Sequence, residues 1–474
     1  MIGYILPAVN FLQKELLLFA SLCFIIGSID DVIFDVLWIV YSIKRRLLVY
    51  SRHARITVEN LPSPKVDEPL AIFVPAWQEA PVIGAMLRRC QDQWQHGNYR
   101  IYVGCYPNDG QTIAAVADAA NGSKNIRMIL CDHDGPTSKA DCLNRLWRAL
   151  CQDEILESIS FKAIVLHDAE DLVHPRALEL FDYLIDRASL VQIPVIPRRA
   201  AQSIWVAGHY GDEFAELHSK QMVLREALGV SLPSAGVGCA FRRDALSALA
   251  IRSQGKPFDA TSLTEDYELG LNLTDGDARG IFARLKDRHG QWVATQEFFP
   301  DNLEDAIRQK SRWMTGIALS GWDRLGWKNC WRENWMRLRD RKASFSAIVL
   351  AVAYAALLLT GLLYGITLTG LYQFAPISPV LKTMLFFNAL FLLWRLLIRA
   401  YLVFVLYGMR EALLSVPRTF VANIINILAA KRAIFFYLKT LAGAPLRWEK
   451  TDHFHPDMAK IERLRPSNQI HRDK

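Results

Sequence analysis

Between Ala347 and Tyr372 the sequence carries only apolar, small and hydroxyl side chains, enough to cross a bilayer core, which takes about 20 residues of helix. Backbone groups cannot go unpaired in lipid, so such a run must be helical. The chain therefore folds for two solvents. Its mean hydropathy of +0.11 and apolar content of 51% fit that division. Val380 to Tyr407 predicts a second span, with Lys382 near its start and Arg395 and Arg399 inside it; charges there must face protein, water or headgroups. Residues 411–440 mix Leu, Ile and Phe with Arg418, Lys431, Arg432 and Lys439, the pattern of a helix lying in the interface.

Residues 5–28 are mostly apolar but lack the basic start and small-residue cleavage site of a signal peptide. With Val32 to Ser42 and the cluster Lys44-Arg45-Arg46 they predict, over 1–50, one membrane anchor plus an interfacial helix. The basic cluster puts the chain from residue 50 onward in the cytoplasm. The net charge of +7 gathers there and in Arg332 to Lys342, both flanking apolar blocks. Such clusters are membrane flanks, and no nucleic-acid partner is expected. Eight cysteines include no C-x-x-C pair, so they are expected as reduced core thiols without structural zinc.

Between the membrane segments, 60–335 forms a cytosolic domain entered through the proline-rich linker 60–69. Leu70 to Val74 is a buried-type strand, Pro75 to Glu79 a turn, and Pro81 to Cys90 a helix. Arg100 to Tyr106 and Thr112 to Ala120 repeat the unit around Pro107-Asn108-Asp109-Gly110. This alternation predicts an α/β fold, a doubly wound and mostly parallel sheet. Ala163 to Leu166 is a continuous apolar run, suited to a strand covered on both faces. Asp168, Glu170 and Asp171 then fall at its carboxyl end, where open sheets place ligands. Carboxylates this close either hold a cation, with Mg2+ or Mn2+ the fitting ions, or form a solvated acidic turn.

Other stretches carry paired readings. Lys139 lies near the start of a helix running through Trp147, where anions are favoured, although a solvated lysine fits as well. Leu190 to Ile196 is a buried strand that Pro194 confines to an edge or a bulge. The small residues from Ser234 to Phe241 admit either a ligand or close packing. Glu265 and Asp266 open a helix, as dipole charge or, for Asp266, as a general base. Gln309, Arg312 and Trp313 share one helical face: a phosphate clamp with a sugar-stacking ring, or a surface pair beside a buried Trp.

In this order Pro75 to Glu79, Asn108-Asp109-Gly110, Lys139-Ala140-Asp141, the acidic triplet, Thr264-Glu265-Asp266 and Gln309-x-x-Arg312-Trp313 resemble the membrane-embedded family 2 glycosyltransferases of the processive, cellulose-synthase-like kind. Pro-Ala-Trp-Gln-Glu, His-Asp-Ala-Glu-Asp and Pro-Ser-Ala-Gly-Val-Gly are similar to the glycosyltransferase part of phage-adsorption proteins. The resemblance implies a GT-A-like fold flanked by transmembrane and interfacial helices, an anchor in 1–50, the catalytic domain in 60–335, membrane helices in 345–440 and a cytosolic tail in 441–474. It implies a nucleotide sugar donor, UDP-linked, with Ala76, Glu79 and Asp109 on base and ribose and Lys139 near the diphosphate. Asp168 and Glu170 match the metal-holding pair, with Asp171 the open alternative to Glu170. Asp266, beside Glu265, matches the catalytic base. Gln309, Arg312 and Trp313 match the motif for the diphosphate and the acceptor, and Trp448 to Thr451 a gating loop. The implied activity is an inverting, metal-dependent transfer to a glycan or lipid-linked acceptor at the bacterial inner membrane, with membrane lipids and an export partner as further contacts. Arg395 and Arg399 then suggest a polar path for the exported glycan. The rivals are a non-processive lipid-carrier transferase and an inactive membrane scaffold for phage adsorption.

Overall fold

A computed structural model describes residues 2–62, 67–94, 96–198, 203–276, 278–370, 373 and 376–443. The expected tail beyond 443 and the loop at Trp448 lie outside them. The elements run α1 (Ile2–Leu48), β1 (Leu70–Pro75), α2 (Ala80–Gln93), β2 (Tyr99–Cys105), α3 (Gly110–Ala120), β3 (Ile126–Leu130), α4 (Lys139–Glu157), β4 (Ala163–Leu166), α5 (Ala177–Ile185), β5 (Leu190–Gln192), β6 (Val195–Arg198) and α6 (Val206–Glu216). They continue with α7 (Met222–Ala227), β7 (Cys239–Arg242), α8 (Arg243–Arg252), α9 (Glu265–Leu273), β8 (Gly280–Phe282), β9 (Thr295–Phe298), α10 (Leu303–Trp313), α11 (Gly321–Leu325), α12 (Trp331–Arg341), α13 (Ala343–Leu368), α14 (Pro379–Tyr407) and α15 (Met409–Leu441). The chain divides into a sheet unit, Ala54–Ala207 with Arg225–Asp301, and a helical unit, Met1–His53, Gly208–Leu224 and Asn302–Pro445.

In the sheet unit seven strands lie in the order β3-β2-β1-β4-β7-β5-β8. β7 runs antiparallel to β4 and β5; the remaining pairs are parallel. The apolar run of β4 is buried at every position because β1 and β7 flank it and α-helical segments cover the faces. Strand order reverses between β1 and β4, and that is the switch point where such sheets bind ligands. Parallel registers of Leu70 with Tyr99 and with Ala163 bring the carboxyl ends of β1, β2 and β4 out at one edge. The strand expected through Leu190 to Ile196 is instead two. Pro194 has no N–H to donate, so β5 stops in the large sheet and β6 pairs with β9 in a separate two-stranded sheet. All eight cysteines are unpaired thiols.

The helical unit holds four helices, α1, α13, α14 and α15, long and apolar enough to cross a membrane. Both stretches in which an interfacial helix is expected carry compensated charges. No break separates an anchor from an interfacial helix in α1, and the charges of Asp30 and Asp31 are answered in place. Lys342 Nζ lies 2.9 Å from a carboxylate oxygen of each, Arg339 pairs with both, and Trp335 Nε1 donates to Asp30 at 2.7 Å. The stretch expected as interfacial is one unbroken helix through Pro417, with Arg418 buried between Asp212 (3.0 Å) and Glu411 (2.8 Å). On α14, Arg395 reaches Asp31 at 3.2 Å and Arg399 pairs with Glu216. Both arginines expected along an export path are thus neutralised by carboxylates of the helical unit.

Candidate active site

Where β1 ends, Ala76 N donates to Gly104 O at 2.8 Å, and the chain turns through Gln78 at φ +55. Asp109 makes that turn possible. It caps α3, accepting from Thr112 N at 3.3 Å, while its other oxygen accepts from Gln78 N at 2.6 Å. Glu79 N donates to Thr112 Oγ1 at 3.0 Å. Both Asp109 oxygens are therefore engaged with backbone, Ala76 is buried, and Glu79 is half-buried. Trp77 stands edge-on to Tyr106 with centroids 5.3 Å apart. Gly135 lies against the Trp77 ring with no room for a Cβ, held by Asn108 through two hydrogen bonds of 2.7 and 2.9 Å. These contacts form a wall with an aromatic face.

The turn after β4 separates the three candidate metal ligands. Asp171 is fully buried; its Oδ2 lies 2.7 Å from His167 Nδ1 and accepts from Asp168 N at 3.2 Å. It braces the turn from beneath with no exposure of its own. Burial holds His167 neutral, its pKa pushed down to about 4. Burial, then the charges of Asp168 and Glu170, raise the Asp171 carboxyl well above its ordinary value. Asp168 and Glu170 remain partly exposed. Glu297 on β9, which no motif singles out, faces the same charges: burial and then Asp171, Asp168 and Glu170 raise its pKa. Gln296 pairs with Leu172 next to the turn, which brings β9 there.

Lys139 begins α4, whose cap is Ser138 accepting from Asp141 N. Its Nζ lies 2.5 Å from Asp168 Oδ1 and 3.4 Å from Gly236 O. Burial disfavours its charge, but Asp168, Glu265 and Asp266 together hold its pKa above the ordinary lysine value. Gly236, at φ +76, packs so closely on the Asp266 carboxylate that a Cβ has no space. Gly270 of α9 is equally tight against the backbone at Pro233 and Ser234. Lys139, Asp168, Gly236 and Asp266 thus meet in one place, with Glu265 beside them at the start of α9. Gln309, Arg312 and Trp313 belong to the helical unit at the end of α10; Gln309 is buried, and the Trp313 ring meets Tyr210 at 6.1 Å and Phe214 at 6.4 Å.

Among the described residues no three His, Cys, Asp or Glu side chains group so as to enclose a metal. The donors nevertheless fit a hard divalent ion, because Asp168 and Glu170 offer accessible oxygens and such ions in phosphate sites commonly take one or two carboxylates plus substrate oxygens and water.

Residues 68–316 match the model of the glycosyltransferase like family 2. Over 467 residues the chain is 38% identical to bacteriophage adsorption protein B of Escherichia coli K12 and, equally, to bacteriophage N4 adsorption protein B of Escherichia coli O157:H7. These alignments cover 94% of this chain and 63% of each relative, so the chain spans less than two thirds of their length. The solved mannosyltransferase PcManGT from Pyrobaculum calidifontis, in complex with GDP-Man and Mn2+, shares the fold at a TM-score of 0.54 and 15% identity, covering 89% of this chain and 99% of that one.

Proposed function

The chain belongs to the family 2 glycosyltransferases, and from that premise we propose that it transfers a sugar, with inversion, from a nucleotide diphosphate sugar, UDP-linked, to a growing glycan at the inner membrane, its sheet unit in the cytoplasm. The observation that supports this most is the meeting of Lys139, Asp168, Gly236 and Asp266. A cation held charged at a helix start suits a diphosphate, and a carboxylate nearby suits proton removal. The wall of Trp77, Asn108 and Gly135 suits a planar base. Lys139 meets the diphosphate, and Asp266 accepts the acceptor hydroxyl's proton as that oxygen attacks the anomeric carbon opposite the leaving group. Inversion results because no enzyme nucleophile intervenes. A divalent ion bound at Asp168 and Glu170 would offset charge on the leaving diphosphate. Gln309, Arg312 and Trp313 keep the diphosphate and acceptor roles that the resemblance implies.

Incubating the purified protein with radiolabelled nucleotide sugars and Mn2+ tests the proposal. Turnover is expected with one donor class and is expected to be lost in Asp266→Asn; near-normal turnover in that variant removes Asp266 from the mechanism, and none with wild type rejects the transfer. Product length on a gel separates a growing glycan from a single addition to a lipid carrier. The names of the curated relatives support a product used in phage adsorption. They also keep the scaffold reading in play. Full rescue of phage sensitivity in a deletion strain by Asp266→Asn would favour it.

A further inference from the structure

Gln192 is a polar side chain with no exposure, set at the end of β5 within the sheet. A buried amide costs stability unless its donors and acceptor are matched. Here they are. Nε2 lies 2.8 Å from Ile193 O, 3.0 Å from Val237 O and 3.0 Å from Gly238 O, while Oε1 accepts from Ala235 N at 2.9 Å. Reversing the amide would set its oxygen against three carbonyls, so the surroundings dictate one orientation. All these partners except its neighbour Ile193 belong to the loop 235–238. That loop carries Gly236, which abuts the Asp266 carboxylate and whose carbonyl faces Lys139. Gly238 N donates to Leu166 O at 3.1 Å, tying the same loop to the strand that ends before Asp168.

We infer that Gln192 is a positioning residue for the transfer reaction: by holding the 235–238 loop it fixes the Gly236 backbone beneath Asp266 and beside Lys139. The inference rests on the transferase reading for its catalytic consequence, but the loop contacts stand independently of it. The hydrogen bonds of Gln192 go to its own neighbour and to the loop rather than to Asp168 or the aromatic wall; Lys139 is held chiefly by Asp168 at 2.5 Å and only at 3.4 Å by the Gly236 carbonyl, so the loss of Gln192 acts mainly through Asp266. A misplacement of about 1 Å at a reacting group can cost on the order of 100-fold in rate.

The test pairs two variants. Gln192→Met keeps the volume and removes the polar contacts. Gly236→Ala keeps Gln192 and disturbs the same contact from the loop side, where a Cβ would strike the Asp266 carboxylate. Hydrogen exchange followed by mass spectrometry is expected to show faster exchange in peptides covering 234–239 of Gln192→Met, with those of β1 and β2 unchanged. In both variants kcat for transfer is expected to fall about 10- to 100-fold, while the donor KM moves less than about threefold. Unchanged loop exchange in Gln192→Met, or faster exchange with kcat intact, overturns the role of Gln192 and leaves the transferase reading standing. If Gln192→Met does not fold, Gly236→Ala decides: an unaltered kcat overturns the inference. Wild type that turns over no nucleotide sugar refutes the transferase reading and with it the catalytic role of Gln192, even where exchange at 234–239 responds as stated.

Discussion

Replacing Lys139 with methionine isolates the cation on which the diphosphate reading depends. Its ammonium is 2.5 Å from Asp168 Oδ1, at the first residue of α4, and its raised pKa keeps it charged across any practical assay pH. A hydrogen bond to a charged group contributes about 1.5–3 kcal/mol, which is roughly 10- to 150-fold in an equilibrium constant. The nucleoside diphosphate dissociation constant of Lys139→Met should therefore rise by that factor in titration calorimetry with UDP and Mn2+. Without nucleotide the sign reverses. Loss of the ammonium makes the potential at Asp168 and Glu170 more negative, and Mn2+ alone should bind more tightly. The ion pair is part-exposed, with 19% and 31% of the two side chains accessible, so solvent screening keeps its stability contribution small and the melting temperature should move by only a few degrees. A folded Lys139→Met protein with unchanged diphosphate affinity refutes the assignment. Weaker Mn2+ binding in the absence of nucleotide refutes the electrostatic argument behind it.

Asp171→Asn should destabilise the protein by about 1–3 kcal/mol, because the buried contact to His167 is disturbed, while Mn2+ affinity stays within about twofold; lost Mn2+ binding at an unchanged melting temperature would make Asp171 rather than Glu170 the ligand. Asp182 is held below the ordinary carboxylate range, against its burial, by hydrogen bonds from His96 and Lys162. Its depressed folded pKa contributes stability above the unfolded value of about 3.8 that disappears as pH falls through the folded value, at about 1.4 kcal/mol per unit of depression. Lys162→Met should accordingly flatten the acid limb of stability followed by circular dichroism, and an unchanged limb counts against the linkage. In the helical unit Lys220 Nζ is 2.6 Å from Asp35, both buried. Lys220→Met should cost about 3–5 kcal/mol by removing the cation from a buried carboxylate whose other donor is the neutral Trp394 Nε1 at 3.0 Å. Adding Asp35→Asn should recover part of that loss in detergent thermal unfolding, and no recovery would show that the ion pair is not the cause.

Much of this protein is legible in residue order because the signals are local. The uncharged run in α13, the continuous apolar stretch of β4 and the repeated strand-turn-helix units come from short-range patterning. Pro194 likewise marks a discontinuity in its strand, although a change of sheet there depends on β9, about 100 residues on, and not on the proline alone. The acidic triplet predicts a site at a strand end, but pattern does not disclose which carboxylate is exposed. Glu170 and Asp171 are adjacent acids that differ in which way the turn carries them, and His167 draws Asp171 inside. Gln192 is equally hidden, as one polar letter in an apolar strand whose loop partners lie more than 40 positions away. The unbroken α1 belongs with these, since the partners of Asp30 and Asp31, among them Arg339, Lys342 and Arg395, reach them from far along the chain. Periodicity and composition determined which segments become strands and which can enter lipid, because those depend on neighbours a few residues apart. Only the folded chain decided which charges are compensated and which stay exposed, because pairing energies depend on distance in space and on the water excluded around each group.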